Sequence, residues 1–274
     1  MNNSVIPNFL FLSHPMLNVL VLIYKIIFSL HVPYALGFSI IALTILIRFV
    51  LYPLTASQLK ASRKMQELTP HLNKLKELHK GDSKRIQAET MKLYKERGVN
   101  PLAGCLPTLV QLPLIWALYN VLQDIVKYST TQINGVLYSD SLKLAKPWDT
   151  TILGLPLAQS PAHLYQTLPV VLLVPVLTGL FQFIQSKMLF PAAMPGAVAE
   201  PKKKEDFASA FQSQSTYIFP IMIGFFSFTF PLGLSLYWNT FTIFGIIQQY
   251  KILGPGSLSN LINTGKQIYG KRQK

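Results

Sequence analysis

Along the chain, apolar residues gather into five long blocks set apart by polar or turn-rich stretches. A helix rising ~1.5 Å per residue needs about 20 residues to cross a ~30 Å hydrocarbon layer, and each block is near that length. The pattern therefore predicts an all-α membrane protein with five transmembrane helices, at 34–56, 100–126, 166–187, 213–231 and 232–251. The last two meet at Pro231-Leu232-Gly233, a turn short enough to force an antiparallel pair. Residues 1–33 hold a shorter apolar run, MLNVLVLIYKIIFSL at 16–30, which contains Lys25 and sits between Pro15 and Pro33. It predicts an N-terminal interfacial helix on the extracytoplasmic side, the alternative being a tilted sixth span that starts near Ile6. The basic lead and small-residue cleavage site of a signal peptide are not found in it.

The segments between the blocks have characters of their own. In 57–99, Leu59, Met65, Leu68, Leu72, Leu75 and Leu78 recur at helical spacing, and Ile86, Leu93 and Tyr94 stripe a second helix that ends at Gly98. Thr69-Pro70 predicts a kink or restart with Thr69 as its cap, and Gly81-Asp82-Ser83 a turn and cap, so the segment reads as a helical hairpin outside the membrane. Asn100-Pro101 opens the second span by the cap-then-proline signature, with kinks expected at Pro107 and Pro113. Residues 127–165 form a compact extracytoplasmic loop whose Trp148 and tyrosines suit a membrane interface. Pro175 and Gly179 are expected to interrupt the third span. Residues 188–212 read as a Pro/Ala/Lys-rich linker and 252–274 as a basic tail.

Charge fixes the orientation. Half of the 274 residues are hydrophobic, 13% are charged, and the net charge is +14. Eleven of the 25 basic residues lie in 57–99, four in 187–211 and five from Lys251 onward, against one in 1–33 and three in 127–165. The positive-inside rule then puts hairpin, linker and tail in the cytoplasm and, with five spans, the N-terminus outside. Attraction to anionic lipid, about 1 kcal/mol per basic residue near the surface, accounts for the excess without sequence-specific nucleic acid. A lysine-rich tail is also suited to contact ribosomal RNA.

Candidate chemistry narrows to one residue. Cys105 has no partner for a disulfide or a metal, so neither metal nor cofactor is expected. The eleven acids supply no intramembrane pair, and HExxH, a gathered Ser/His/Asp set and a glycine-rich phosphate loop are all lacking, which argues against an enzyme. Arg48 is the anomaly. It lies 14 residues into the first span, and an arginine near a helix centre costs roughly 2.5–3.5 kcal/mol on insertion scales. It is expected to face a polar cavity, the alternative being a side chain that snorkels to the headgroups.

The stretches IRFVLYPLT at 47–55, NPLAGCLPTLVQLP at 100–113 and FPLGLSLYWNTFTIFGIIQQY at 230–250 resemble the YidC family of membrane insertases, related to the mitochondrial oxidase-assembly and thylakoid insertases. The resemblance covers about residues 15–252. It implies five transmembrane helices around a polar groove open to the cytoplasm, with Arg48 attracting acidic residues of an incoming protein. Thr44, Gln111, Gln185, Trp238 and Asn239 would line that groove, with Gln182 and Tyr237 behind them. Thr44 bonding its own helix, and Trp238 and Tyr237 anchoring at the interface, are the alternatives. The implied function is insertion and chaperoning of nascent proteins with short or acidic extracytoplasmic segments. It would act in the bacterial inner membrane, alone or beside the Sec translocon, with ribosome, targeting factor and lipids as partners. A small-solute (anion) transporter using Arg48 is the competing reading, although inverted repeats are not evident in the sequence.

Overall fold

The computed structural model describes residues 10–79, 81–99, 106–127, 129–189 and 214–256. The Asn100-Pro101 helix start, Cys105, residues 190–212 of the linker and the tail beyond Gly256 lie outside the described residues. The chain order is α1 (Leu10–Ser29), α2 (Ala35–Val50), α3 (Tyr52–Glu67), α4 (Thr69–Leu78), α5 (Ser83–Glu96), α6 (Leu106–Lys127), α7 (Thr130–Asn134), β1 (Thr151–Ile152), β2 (Leu155–Pro156), α8 (Pro161–Leu164), α9 (Leu173–Leu189), α10 (Phe219–Thr229) and α11 (Leu232–Leu253). These elements fall into two compact units, with α6, α9 and α11 contributing to both.

The first unit holds α1, α2, residues 110–183 and residues 213–245. Its core joins Leu20 and Val21 of α1, Leu36 and Ile40 of α2, Leu118 and Val121 of α6, Trp148 of the 127–165 loop and Tyr237 of α11. Part of its surface is apolar: Leu173, Val176 and Leu180 of α9 and Ile221 and Phe225 of α10 are exposed. Such a face is stable against lipid and not against water. Leu12–Ser29 and Pro169–Leu189 are each long and apolar enough to cross a membrane.

Prolines set several boundaries. The first apolar block does not run unbroken to residue 56, because its helix stops at Val50 and α3 starts at Tyr52. Pro53 has no N–H for the Phe49 carbonyl and its ring would clash there, so the ladder restarts from Leu51, whose carbonyl accepts from the Thr55 N–H at 2.9 Å. Pro220 acts likewise before α10, where Gln214–Ile218 widens into a π-helical turn. Pro175, expected to interrupt the third span, instead lies in the first turn of α9, where proline is tolerated, and Gly179 leaves the helix continuous.

The 127–165 loop is a built cap, and it departs from the all-α expectation by one small β-hairpin. β1 and β2 pair antiparallel, and the turn Leu153-Gly154 has φ of 50° and 79°, the two positive values such a tight hairpin needs. The cap fastens the α10–α11 turn: the N–H groups of Leu232 and Gly233 donate to the carbonyls of Gln159 and Leu157 at 2.9 and 2.8 Å. Two otherwise orphaned donors at the start of α11 are thereby satisfied. It also runs alongside α1. Asn18 accepts from the Tyr138 N–H at 2.7 Å, Lys25 donates to the Ser141 and Lys143 carbonyls, and Tyr24 meets Trp148 edge-on at 5.4 Å.

The second unit contains the hairpin. Asp82 caps α5 by accepting from the Arg85 N–H at 3.0 Å, after Gly81 turns the chain at φ 96°. The restart at residue 69 is present, but Thr69 is not its cap. Leu68 occupies that position in the αR conformation, with no side-chain cap, so the chain stays helical through the junction. Leu59 and Leu68 are buried, whereas Leu78 at the far end of the stripe is 76% exposed. Between α4 and α5, Leu75, Leu78 and Leu93 floor a cavity of about 270 Å³ rimmed by His71, Lys74, Glu89, Lys92 and Glu96.

Candidate functional site

Because Pro53 ends α2 early, Arg48 falls in that helix's last turn, where unsatisfied carbonyls favour a cation. Its side chain is enclosed by protein, with 4% of the residue exposed. The Nε group donates to the Phe241 carbonyl at 3.0 Å, and Nη2 donates to the same oxygen. The guanidinium carbon sits 3.3 Å from the centroid of the Phe241 ring and 5.9 Å from that of Phe244. Around this pair, Phe49 meets Phe244 edge-on at 5.3 Å and Tyr237 packs on Phe241 at 5.7 Å.

Among the described residues no carboxylate pairs with Arg48. Its charge is met by a helix end, a backbone dipole and an aromatic face, and by no counter-charge from the described residues. Each of these is favourable in a dry site: a cation–π contact reaches about 2 kcal/mol when desolvated, and a hydrogen bond to a charged group about 1.5–3. None of them cancels the unit of charge.

The other expected residues are placed unevenly. Thr44 is buried and donates to the Ile40 carbonyl at 2.6 Å, which uses its hydrogen and leaves its oxygen able to accept. Trp238 donates from Nε1 to Gln182 Oε1 at 3.4 Å, joining α11 to α9. Asn239 has a buried Oδ1 with no partner among the described residues. Tyr237 is in the core. Gln185 is half-buried and belongs to the second unit, while the side chain of Gln111 lies outside the described residues.

Two features escaped the sequence. Tyr237, Phe241 and Phe244 stand at i, i+4 and i+7, so a shared aromatic face was legible, but not that Arg48, 193 positions away, would dock on it. The second is a run of hydroxyls. Ser235 and Ser227 lie 2.9 Å apart, Ser227 and Thr178 3.1 Å, and Thr178 donates to the Val174 carbonyl at 2.8 Å. One hydrogen per hydroxyl orders the chain from Ser235 to Ser227 to Thr178 to Val174. It borders a cavity of about 30 Å³ also lined by Ile223, Phe226, Phe230, Leu234 and Trp238, which has room for a water.

The family model described as 60Kd inner membrane protein matches residues 27–255. This chain belongs to that family, the YidC family. It is 36% identical over 250 residues to a membrane protein insertase YidC of Streptomyces avermitilis, covering 86% of this chain and 56% of that one. Against the membrane protein insertase YidC of Fusobacterium nucleatum it is 35% identical, covering 81% of this chain and 87% of that one. The chain thus spans just over half of one YidC relative and most of another. In fold it is similar to a crystal structure of active YidC insertase with the first transmembrane domain resolved, at a TM-score of 0.55 and 23% identity, over 87% of this chain and 46% of that one.

Proposed function

We propose that this chain is a membrane protein insertase that draws acidic extracytoplasmic segments of nascent proteins part-way into the bilayer by the charge of Arg48. The observation that carries this reading is a buried guanidinium met by dipoles and rings and, among the described residues, by no acid. An incoming carboxylate about 6 Å away gains about 3 kcal/mol at an effective dielectric of ~20, roughly a hundredfold in occupancy. Trp238 and Asn239 on α11, and Thr44 one turn before Arg48 on α2 with its oxygen still able to accept, are the polar groups this reading keeps for the groove. The apolar faces of α9 and α10 offer the remainder of the substrate an exit into lipid, and no nucleotide enters the process.

The charge asymmetry supports a cytoplasmic hairpin and tail, and the bacterial YidC relatives support placement in the bacterial inner membrane. In it, α1 is an interfacial helix. A perpendicular span would touch the outer cap at one end, whereas Asn18 and Lys25, seven residues and about 10 Å apart along the helix, both bond to it. Work beside the Sec translocon and contacts with ribosome or targeting factor belong to the same reading.

Reconstituted vesicles test it. Arg48→Ala is expected to lower insertion of a single-span substrate with an acidic tail at least tenfold, and to leave a substrate with an Asn-for-Asp tail within twofold. Equal insertion of the acidic substrate by both proteins rules the mechanism out.

A further inference from the structure

We propose that Phe241 is the positioning residue for Arg48: through its carbonyl and its ring it fixes which edge of the guanidinium is offered to a carboxylate. The proposal rests on the reading of Arg48 given above for its use, but not for its geometry.

A guanidinium carries five N–H donors in a rigid plane and has two edges able to grip a carboxylate with paired hydrogen bonds. In this chain the side edge, Nε with one hydrogen of Nη2, is taken by the Phe241 carbonyl. One flat face is taken by the ring of the same residue, 3.3 Å away. Among the described residues no hydrogen bond takes the end edge, Nη1 with the second hydrogen of Nη2, and it is this edge that the proposal assigns to the carboxylate. The geometry matches a planar, bidentate carboxylate rather than a point anion. A lysine at position 48 has neither a flat face to stack nor a second edge to offer.

Two contacts from one residue have a physical consequence. The backbone carbonyl belongs to the helical ladder of α11, and Tyr237 packs on the Phe241 ring at 5.7 Å, so both contacts come from one packed stretch of helix. Phe244, at 5.9 Å, contributes a weaker face. Ring and carbonyl together hold the charge in a site that is 4% exposed.

The ring's part can be removed without changing its shape, because fluorination withdraws the negative face that attracts the cation. We would place mono-, tri- and pentafluorophenylalanine at position 241 of the full chain in vesicles. Arg48 would then be modified with phenylglyoxal, using exposed Arg63 of the same chain as reference. The expected result is an Arg48 rate that rises stepwise, by about thirtyfold at pentafluorination, the factor equivalent to ~2 kcal/mol of desolvated cation–π contact. The Arg63 rate should stay constant, and the same series at Phe244 should give a smaller rise. A flat Arg48 rate across the Phe241 series overturns the proposal.

A second arm reads use. Phe241→Leu should cut insertion of an acid-tailed substrate several-fold relative to its Asn-tailed counterpart, with Phe241→Tyr restoring it. A stepwise rise in Arg48 reactivity with no effect of Arg48→Ala on insertion upholds Phe241 as positioner while defeating the insertase mechanism. A flat rate with a strong Arg48→Ala defect does the reverse.

Discussion

Replacing Ser227 by alanine tests whether the hydroxyl chain binds α9, α10 and α11 together. Ser227 sits in the middle, accepting from Ser235 at 2.9 Å and donating to Thr178 at 3.1 Å. Its loss leaves Ser235 with the Ser227 carbonyl at 3.4 Å as acceptor, while Thr178 keeps its bond to Val174. Two hydrogen bonds are removed and one is partly recovered. Interhelical bonds within membranes average about 0.6 kcal/mol and reach about 1.7, so the expected cost is about 1 kcal/mol. Removing the Oγ atom enlarges the adjoining cavity of about 30 Å³ without creating a large void. The assay is reversible unfolding in bicelles of Ser227→Ala, Ser235→Ala and the double variant. The chain predicts that the two changes couple by at least about 0.5 kcal/mol, as groups in one network do. Strict additivity, or a Ser227→Ala cost near zero, refutes the ordered chain.

Three further outcomes are expected. A Cβ on Gly224 would lie 3.2 Å from the Pro175 carbonyl and 3.6 Å from the Gly179 Cα, so Gly224→Ala should destabilise the α9–α10 crossing by about 1–3 kcal/mol in the same unfolding assay. Asn18→Ala removes bonds to the Val136 carbonyl and the Tyr138 N–H, and amide hydrogen exchange should rise at residues 136–138 while α5 is unaffected. Asp140 is held below its ordinary value of 3.8 by the hydrogen bond and charge of Lys143. Its folded value being depressed, the pair's contribution is present above that pH and is lost as pH falls through the folded value. An NMR titration of Lys143→Gln should find Asp140 moved upward.

Much of the fold was legible because helical patterning is local. The predominantly helical character, the Asp82 cap and the restart before Pro70 each follow from residues within a turn or two of one another. The break at Leu51 was not anticipated, the block being taken as one span over 34–56, although Pro53 supplies its cause. Arg48 could be singled out on cost alone, since a guanidinium in an apolar block demands a partner. The identity of that partner was not available. Periodicity says which residues share a helix face, whereas the choice of Phe241 over any other carbonyl or ring comes from how α2 and α11 pack, across 193 positions of chain. The same holds for Thr178, Ser227 and Ser235, three unremarkable hydroxyls until three helices bring them within 3.1 Å of one another in sequence of donation. Local chemistry made the helices and marked the charge; close packing between distant segments decided what the charge touches, because only there do side chains lose their other options.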